Sequence, residues 1–274
     1  MTLTYSLADV APYINWLYFD HAWGMDGKPQ TERMKLREEA RQRLDYYAEK
    51  YQTHAIFRLF DAFSDGDDII VEDERKGLTT EVRIPCLRQQ LTDSRYLCLS
   101  DFIAPKQQHT PETNRIGIFT VCADEAMETD FDNDPYERMM MQLLADRLAE
   151  ATAERMHEEV RKKYWGYACD EQLSIADMLQ EQWQGIRPAV GYPSLPDTSL
   201  NFLIDELVDM QQIGIRLTES GAMKPHASVS GLMIAHPKAR YFSIGKIGED
   251  QLRDYARRRG MNVDDTRKFL QAIL

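Results

Sequence analysis

The chain has 274 residues, 43% of them hydrophobic, and 33 basic against 45 acidic residues give a formal charge of −12. That length and apolar content can bury a substantial core, while the negative excess disfavours a phosphate backbone or an anionic bilayer as partner. No apolar run approaches the ~20 residues of a membrane-spanning helix, and Met1 to Ser6 carries no basic-then-apolar secretory signal. Cys86, Cys98, Cys122 and Cys169 are scattered, with no C-x-x-C pair and no zinc spacing. They read as four free thiols in a cytoplasmic protein.

In chain order, Thr31 to Tyr51 reads as a charged amphipathic helix with Met34, Leu36, Leu44, Tyr47 and Ala48 on its apolar stripe. Ala55 to Phe63 and Asp68 to Glu72 read as strands around Ser64-Asp65-Gly66-Asp67, a hairpin signal. Val82 to Ile84 and Ile116 to Cys122 are further strand candidates. The clearest helix follows Asp134-Pro135-Tyr136-Glu137, with Asp134 as cap, Pro135 in the first position and Glu137 completing a capping box. Tyr136, Met140, Leu143, Leu144, Leu148 and Ala151 recur at helical spacing, and the pattern runs to about Lys163.

A shorter helix near Ser174 to Trp183, a loop around Arg187 and a helix near Leu200 to Gln212 follow. Strands at Ile215 to Leu217, Ser228 to Ile234 and Tyr241 to Ile247 precede two closing helices, Glu249 to Arg259 and Val263 to Ile273. Arg257-Arg258-Arg259 reads as a solvated helix end, where cations suit the C-terminal dipole. There is no repeat and no low-complexity linker. The irregular order of strands and helices argues for α+β over a doubly wound sheet, in a single domain over residues 1–274.

Several signatures are absent. No G-x-G-x-x-G follows a strand, so the common dinucleotide pocket is not written here. His157-Glu158 has Arg161 where a metalloprotease helix needs its second histidine, and we expect no metal site. Asp146 and Glu150 are four apart and share a helix face, which suits a solvated acidic surface. In Gly185-Ile186-Arg187-Pro188-Ala189-Val190-Gly191-Tyr192-Pro193, Arg187 supplies a planar cationic fork for a carboxylate. Pro188 and Pro193 stiffen the segment, and Gly191 permits close approach of backbone to ligand. The same residues also suit a proline-rich connection with a surface arginine.

That segment, with Leu217-Thr218-Glu219-Ser220-Gly221-Ala222-Met223 and Ala227-Ser228-Val229-Ser230-Gly231, resembles the S-adenosylmethionine-binding region of the activation domain of cobalamin-dependent methionine synthase. The resemblance includes Tyr13-Ile14-Asn15-Trp16, Leu87-Arg88-Gln89-Gln90 and Asp101-Phe102-Ile103-Ala104-Pro105-Lys106. It continues from Leu144-Ala145-Asp146-Arg147-Leu148-Ala149-Glu150 through Tyr164-Trp165-Gly166-Tyr167 to Asp254-Tyr255-Ala256-Arg257-Arg258-Arg259-Gly260, so it spans nearly the whole chain.

The resemblance implies a curved antiparallel sheet with flanking helices. It assigns Arg187 to the methionyl end of S-adenosylmethionine and lays the backbone of Ala189 and Gly191 against the rest. It sets Tyr192 near the upper face of the corrin, close to cobalt. Tyr241 and Phe242 border the ligand, where an aromatic face attracts a sulfonium, although Phe242 lacks the family's second phenol. Asp146 and Glu150 fall near the docking surface for the cobalamin module. Asn15 replaces an aspartate that contacts the ligand's ammonium, and Thr198 stands where a histidine follows Pro193-Ser194-Leu195-Pro196-Asp197. Asp20-His21 does not satisfy the D-x-H-x-x-G pattern of corrinoid proteins, so cobalamin arrives on a partner.

In the familiar enzyme this module closes a longer polypeptide, whereas this sequence opens at Met1. The implied protein is a freestanding reactivation subunit of a split methionine synthase, a methyltransferase component not catalytically complete alone. It supports reductive methylation of cob(II)alamin to methylcobalamin, with a flavodoxin-like electron donor. The alternative is an S-adenosylmethionine-sensing module for another corrinoid protein.

Overall fold

A computed structural model describes residues 1–75, 78–90, 96–108 and 114–274. Strand β1 (Thr2–Ser6) runs into α1 (Leu7–Val10), where Ser6 and Asp9 exchange side-chain and backbone hydrogen bonds in a capping box. Asn15 caps α2 (Trp16–Ala22), its Oδ1 accepting the Leu17 N–H at 3.2 Å. Helix α3 (Gln30–Tyr46) buries Leu36, Ala40 and Leu44 four residues apart. It stops short of Tyr51 because the chain turns there to enter a strand, and Met34 stays exposed.

The strands β2 (Gln52–Asp65), β3 (Asp68–Arg75), β4 (Leu78–Pro85) and β5 (Arg115–Ala123) come next. The turn between β2 and β3 needs a left-handed residue, and Gly66 supplies it at φ 60°. Beyond it lie α4 (Ala126–Thr129), the long α5 (Pro135–Glu159), α6 (Ile175–Met178) and α7 (Leu200–Val208). The chain closes through β6 (Arg216–Leu217), β7 (Met223–Lys224), β8 (Ser228–Met233), α8 (Glu249–Arg259) and α9 (Val263–Phe269).

The main sheet is antiparallel with order β4-β3-β2-β5-β8. β1 pairs with the first part of β2, and β3 with the last. Successive residues point to opposite faces. Ala55, Phe57, Phe119, Val121 and Ala123 face α5, while Ile56, Phe60, Ile116, Ile118 and Cys122 face α7. Both faces are covered, which is why β5 is buried from Ile116 to Ala123 and apolar there but for Thr120. Leu87, Ile244, Ile247, Leu252, Tyr255 and Leu270 form a third cluster around α8. Thr152 ties α5 to β2 through a buried hydroxyl contact with Thr53 at 2.7 Å. This is the expected α+β arrangement.

Some expectations change. Asp134 caps α5 through the Tyr136 and Glu137 amides, but Glu137 does not complete the box: its carboxylate accepts from Arg43 of α3 at 3.3 Å. The helix near Ser174 is only one turn. α7 ends at Val208 because Asp209 is left-handed at φ 58°, and its N–H closes on the Asp205 carbonyl at 2.7 Å. A short 3₁₀ turn replaces the end of each of the helices predicted to reach Gln212 and Ile273.

Tyr241 to Ile247 forms no strand. Its buried Ile244 and Ile247 are three apart rather than two, and Gly245 breaks it at φ 71°. Only Arg257 of the arginine triplet is solvated. Arg258 pairs with Asp68 and Asp254, and Arg259 approaches Asp197 at 3.4 Å, with side chains 11% and 7% exposed.

Candidate functional site

The site is built on the free edge of β8. The segment Ile186 to Val190 pairs with it antiparallel: Ile186 and Ile234 exchange both backbone bonds at 2.9 Å, Leu232 donates to the Pro188 carbonyl at 3.0 Å, and Val190 donates to Ser230 at 2.9 Å. Pro188 has no N–H to contribute, which an edge tolerates. Two glycines make the approach possible. A Cβ on Gly231 would sit 2.3 Å from the Pro188 carbonyl oxygen, and one on Gly185 would sit 2.2 Å from that of Ile234.

In this register the amides of Arg187 and Ala189 point away from β8. The Arg187 N–H donates to the Tyr241 hydroxyl at 2.9 Å. The Ala189 N–H points the same way, into a cleft of about 600 Å³ that Ala189 lines. The walls of that cleft are α5, the Arg187 segment, the start of α2 with Asn15 and Tyr18, and Tyr241 to Ser243.

Arg187 is 8% exposed, and Glu154 of α5 grips its guanidinium with both carboxylate oxygens, Oε1 on Nη2 and Oε2 on Nη1 at 3.2 Å. Nη1 also meets the Ala153 carbonyl at 3.2 Å and His157 Nδ1 at 3.3 Å. Burial opposes the Arg187 charge, but Glu154 more than offsets this and holds it cationic. The fork read from the sequence as open to a ligand is therefore half taken. Its Nε–H has no partner among the described residues and remains, with the Ala189 amide, for an incoming carboxylate.

Behind Arg187, His157 is wholly buried. Burial, then Arg187 and Arg161, push its imidazole well below the usual range, so the ring is neutral. Trp183 lies under both guanidinium groups, 5.0 Å from that of Arg161 and 5.5 Å from that of Arg187.

Tyr192 projects from a tight turn in which Gly191 donates to Leu195 at 2.8 Å and takes φ 87°, a conformation that favours glycine. The Tyr192 hydroxyl donates to Glu150 at 2.7 Å while the ring is 52% exposed at the cleft mouth. Burial of the hydroxyl and the nearby Glu150 push the phenol up. Burial likewise pushes Tyr241 up to about 12, against the pull of Arg187. Phe242 lines the cleft but also packs inward, 6.4 Å from Phe102.

Asn15 lines the cleft while its Oδ1 caps α2. Asp146 does not line it. The residue is half-buried one turn before Glu150, and burial raises its carboxyl despite Arg147, with Glu128 adding to the rise. Thr198 is also outside the cleft, packed beneath Gly191.

Sequence reasoning missed Glu154, Glu181 and Arg147 in the cleft wall and His157 behind it. Asp146, Glu150, Glu154, His157 and Arg161 recur every three or four residues, one stripe of α5, and that spacing was a usable signal. Glu181 had none, since its left-handed backbone at φ 58° ends the short α6 turn inside a segment read as helix. Glu150, Glu154 and Glu181 face Arg147 and Arg187, so the cleft is acidic and suits a ligand carrying more positive than negative charge.

Among the described residues no His, Cys, Asp or Glu cluster could hold a metal ion. No helix of those residues is long and apolar enough to cross a membrane.

The family model for the vitamin B12 dependent methionine synthase activation domain matches residues 6–260. A solved structure of the MetH reactivation domain bound to AdoHcy superposes with a TM-score of 0.92 at 36% identity. The match covers 100% of this chain and 90% of that one.

Proposed function

The chain belongs to the activation-domain family of vitamin B12 dependent methionine synthases, and from that premise we propose that its cleft binds S-adenosylmethionine for use on a cobalamin-binding module that docks in trans, in the cytoplasm. The single observation that carries this is a cleft lined by Arg187 and Ala189, whose Nε–H and amide have no partner among the described residues, and walled by three carboxylates and aromatic rings. The amide and guanidinium suit the ligand's carboxylate. Glu150, Glu154 and Glu181 supply the negative field that a sulfonium and an ammonium require, and Tyr241 offers them an aromatic face. The Asn15 amide oxygen is a neutral acceptor for the ammonium while still capping α2.

Bound there, S-adenosylmethionine supplies the methyl group that turns the partner's cob(II)alamin, once reduced by a flavodoxin-like donor, into methylcobalamin. This chain contributes position: it presents the methyl at the mouth of the cleft and removes the orientational cost of the encounter. Tyr192 at that mouth, with exposed Tyr18 lining the same cleft, gives the partner an aromatic rim. In this reading Tyr192 stands near cobalt, and Glu150 and Asp146 border the docking face.

The test is calorimetric titration with S-adenosylmethionine, with and without a cobalamin-binding module, for wild type and Arg187→Ala. Wild type binds saturably and stimulates reductive methylation. The variant binds about 10- to 150-fold more weakly, the loss of a charge-assisted hydrogen bond. Absence of wild-type binding under both conditions refutes the proposal. Binding without stimulation turns the assignment to a sensing module for another corrinoid protein.

A further inference from the structure

The ligand-binding arginine does not stand alone on its loop. Its Nη1 and that of Arg161 both point at one atom, His157 Nδ1, from 3.3 and 3.1 Å. Arg161 is wholly buried, and Glu171 accepts from its Nη2 at 2.6 Å and from its Nε at 2.9 Å. Two guanidinium groups can share Nδ1 only through its lone pair, so the ring carries its proton on Nε2, which lies 3.4 Å from the Tyr167 hydroxyl.

We propose that His157 is a positioning residue that aims Arg187, by offering one neutral acceptor to Arg187 from behind while Arg161 and Glu171 hold His157 in place. The inference rests on the reading of the cleft given above. The two bonds from Glu154 leave Arg187 free only to rotate about the line that joins the guanidinium and the carboxylate. Nδ1 and the Ala153 carbonyl hold Nη1 at the back of the site and leave the unpaired Nε edge for the cleft that Arg187 lines with Ala189. The helix widens just beyond, over Val160–Tyr164, where the Trp165 N–H reaches back to the Val160 carbonyl at 2.8 Å. Such widened turns recur at functional sites.

Two variants separate aiming from mere support. His157→Gln keeps an acceptor, and His157→Phe keeps a ring without one. Each is titrated with S-adenosylhomocysteine and with its decarboxylated analogue, beside a thermal melt. Wild type favours the carboxylate-bearing ligand by about tenfold or more. His157→Phe reduces that preference to roughly threefold or less while affinity for the analogue holds, and His157→Gln retains most of the preference. Parallel loss of both ligands at an unchanged ratio overturns the proposal, as does loss of the preference in His157→Gln.

A ligand-free readout keeps the two readings apart. In wild type, nitrogen NMR at neutral pH shows the neutral Nε2–H form of His157, and the Arg187 Nε–H resonance moves in His157→Phe. A charged His157, or the other tautomer, overturns the inference even if the ligand binds. If wild type binds no ligand but these resonances behave as stated, the functional assignment fails and the positioning of Arg187 stands. Should His157→Phe not fold, the wild-type tautomer and His157→Gln decide the matter.

Discussion

Replacing Glu171 by methionine tests how firmly the frame behind the cleft is held. Arg161 is 0% exposed at its side chain and Glu171 is 8% exposed. Without the carboxylate, the guanidinium keeps, among the described residues, the His157 lone pair and the face of Trp183. Breaking a buried pair from one side costs about 3–5 kcal/mol, because the stranded charge stays desolvated. With an m value of roughly 3 kcal/mol/M, the urea midpoint falls by roughly 1–1.7 M. The double variant Arg161→Met/Glu171→Met removes the stranded charge as well and returns to within about 1 kcal/mol of wild type. Urea unfolding followed by tryptophan fluorescence measures all three proteins. A Glu171→Met loss below about 1 kcal/mol refutes the claim that the pair is desolvated. A double variant as unstable as the single one shows that packing, not stranded charge, sets the cost.

Two further outcomes follow from the geometry. Gly231→Ala places a methyl 2.3 Å from the Pro188 oxygen and 2.9 Å from the Ala189 Cα, both backbone, so the Arg187 segment must lift from β8. The expected cost is about 1–3 kcal/mol, seen as a lower melting temperature together with weaker ligand binding, and an unchanged melt and titration contradict it. Alkylation of the native protein modifies Cys169 first, because it is exposed while Cys86, Cys98 and Cys122 are buried and burial pushes the Cys122 thiol up to about 12. Intact mass after brief treatment shows one adduct, and rapid addition of several in folded protein refutes the burial.

Local signals in the sequence were read well where the physics is local. Gly66 in its turn, Asp134 ahead of Pro135 and the helix from Glu249 to Arg259 all rest on neighbours within a few residues. The failures involve partners distant in sequence. Glu137 suits a capping box, yet Arg43 from another helix takes its carboxylate. Arg258 and Arg259 read as solvent-facing because nothing nearby hints that Asp68 and Asp197 will arrive from other elements. In Tyr241 to Ile247 the apolar content suggested a strand, but Ile244 gives its N–H to the Pro193 carbonyl rather than to a sheet neighbour.

The site divides along the same line. Arg187, Ala189, Gly191 and Tyr192 were legible because one short segment carries them, and Asn15, Tyr241 and Phe242 through the family resemblance. What surrounds them was not, since Glu154 and His157 lie about thirty residues away on α5, as the sequence separations of 33 and 30 show. That distance changes the chemistry. Read alone, Arg187 is a free fork on a proline-stiffened loop, and a ligand must immobilise a long side chain at a cost of about 0.5–1.5 kcal/mol. In the folded chain Glu154, Ala153 and His157 have already immobilised it. The Tyr241 hydroxyl holds its amide in the same way, so Arg187 and Ala189 are set along the cleft before any ligand enters. On the proposed function the helix stripe, rather than the loop, readies the arginine to bind, because a guanidinium aimed in advance spends its hydrogen bonds on affinity instead of on its own ordering.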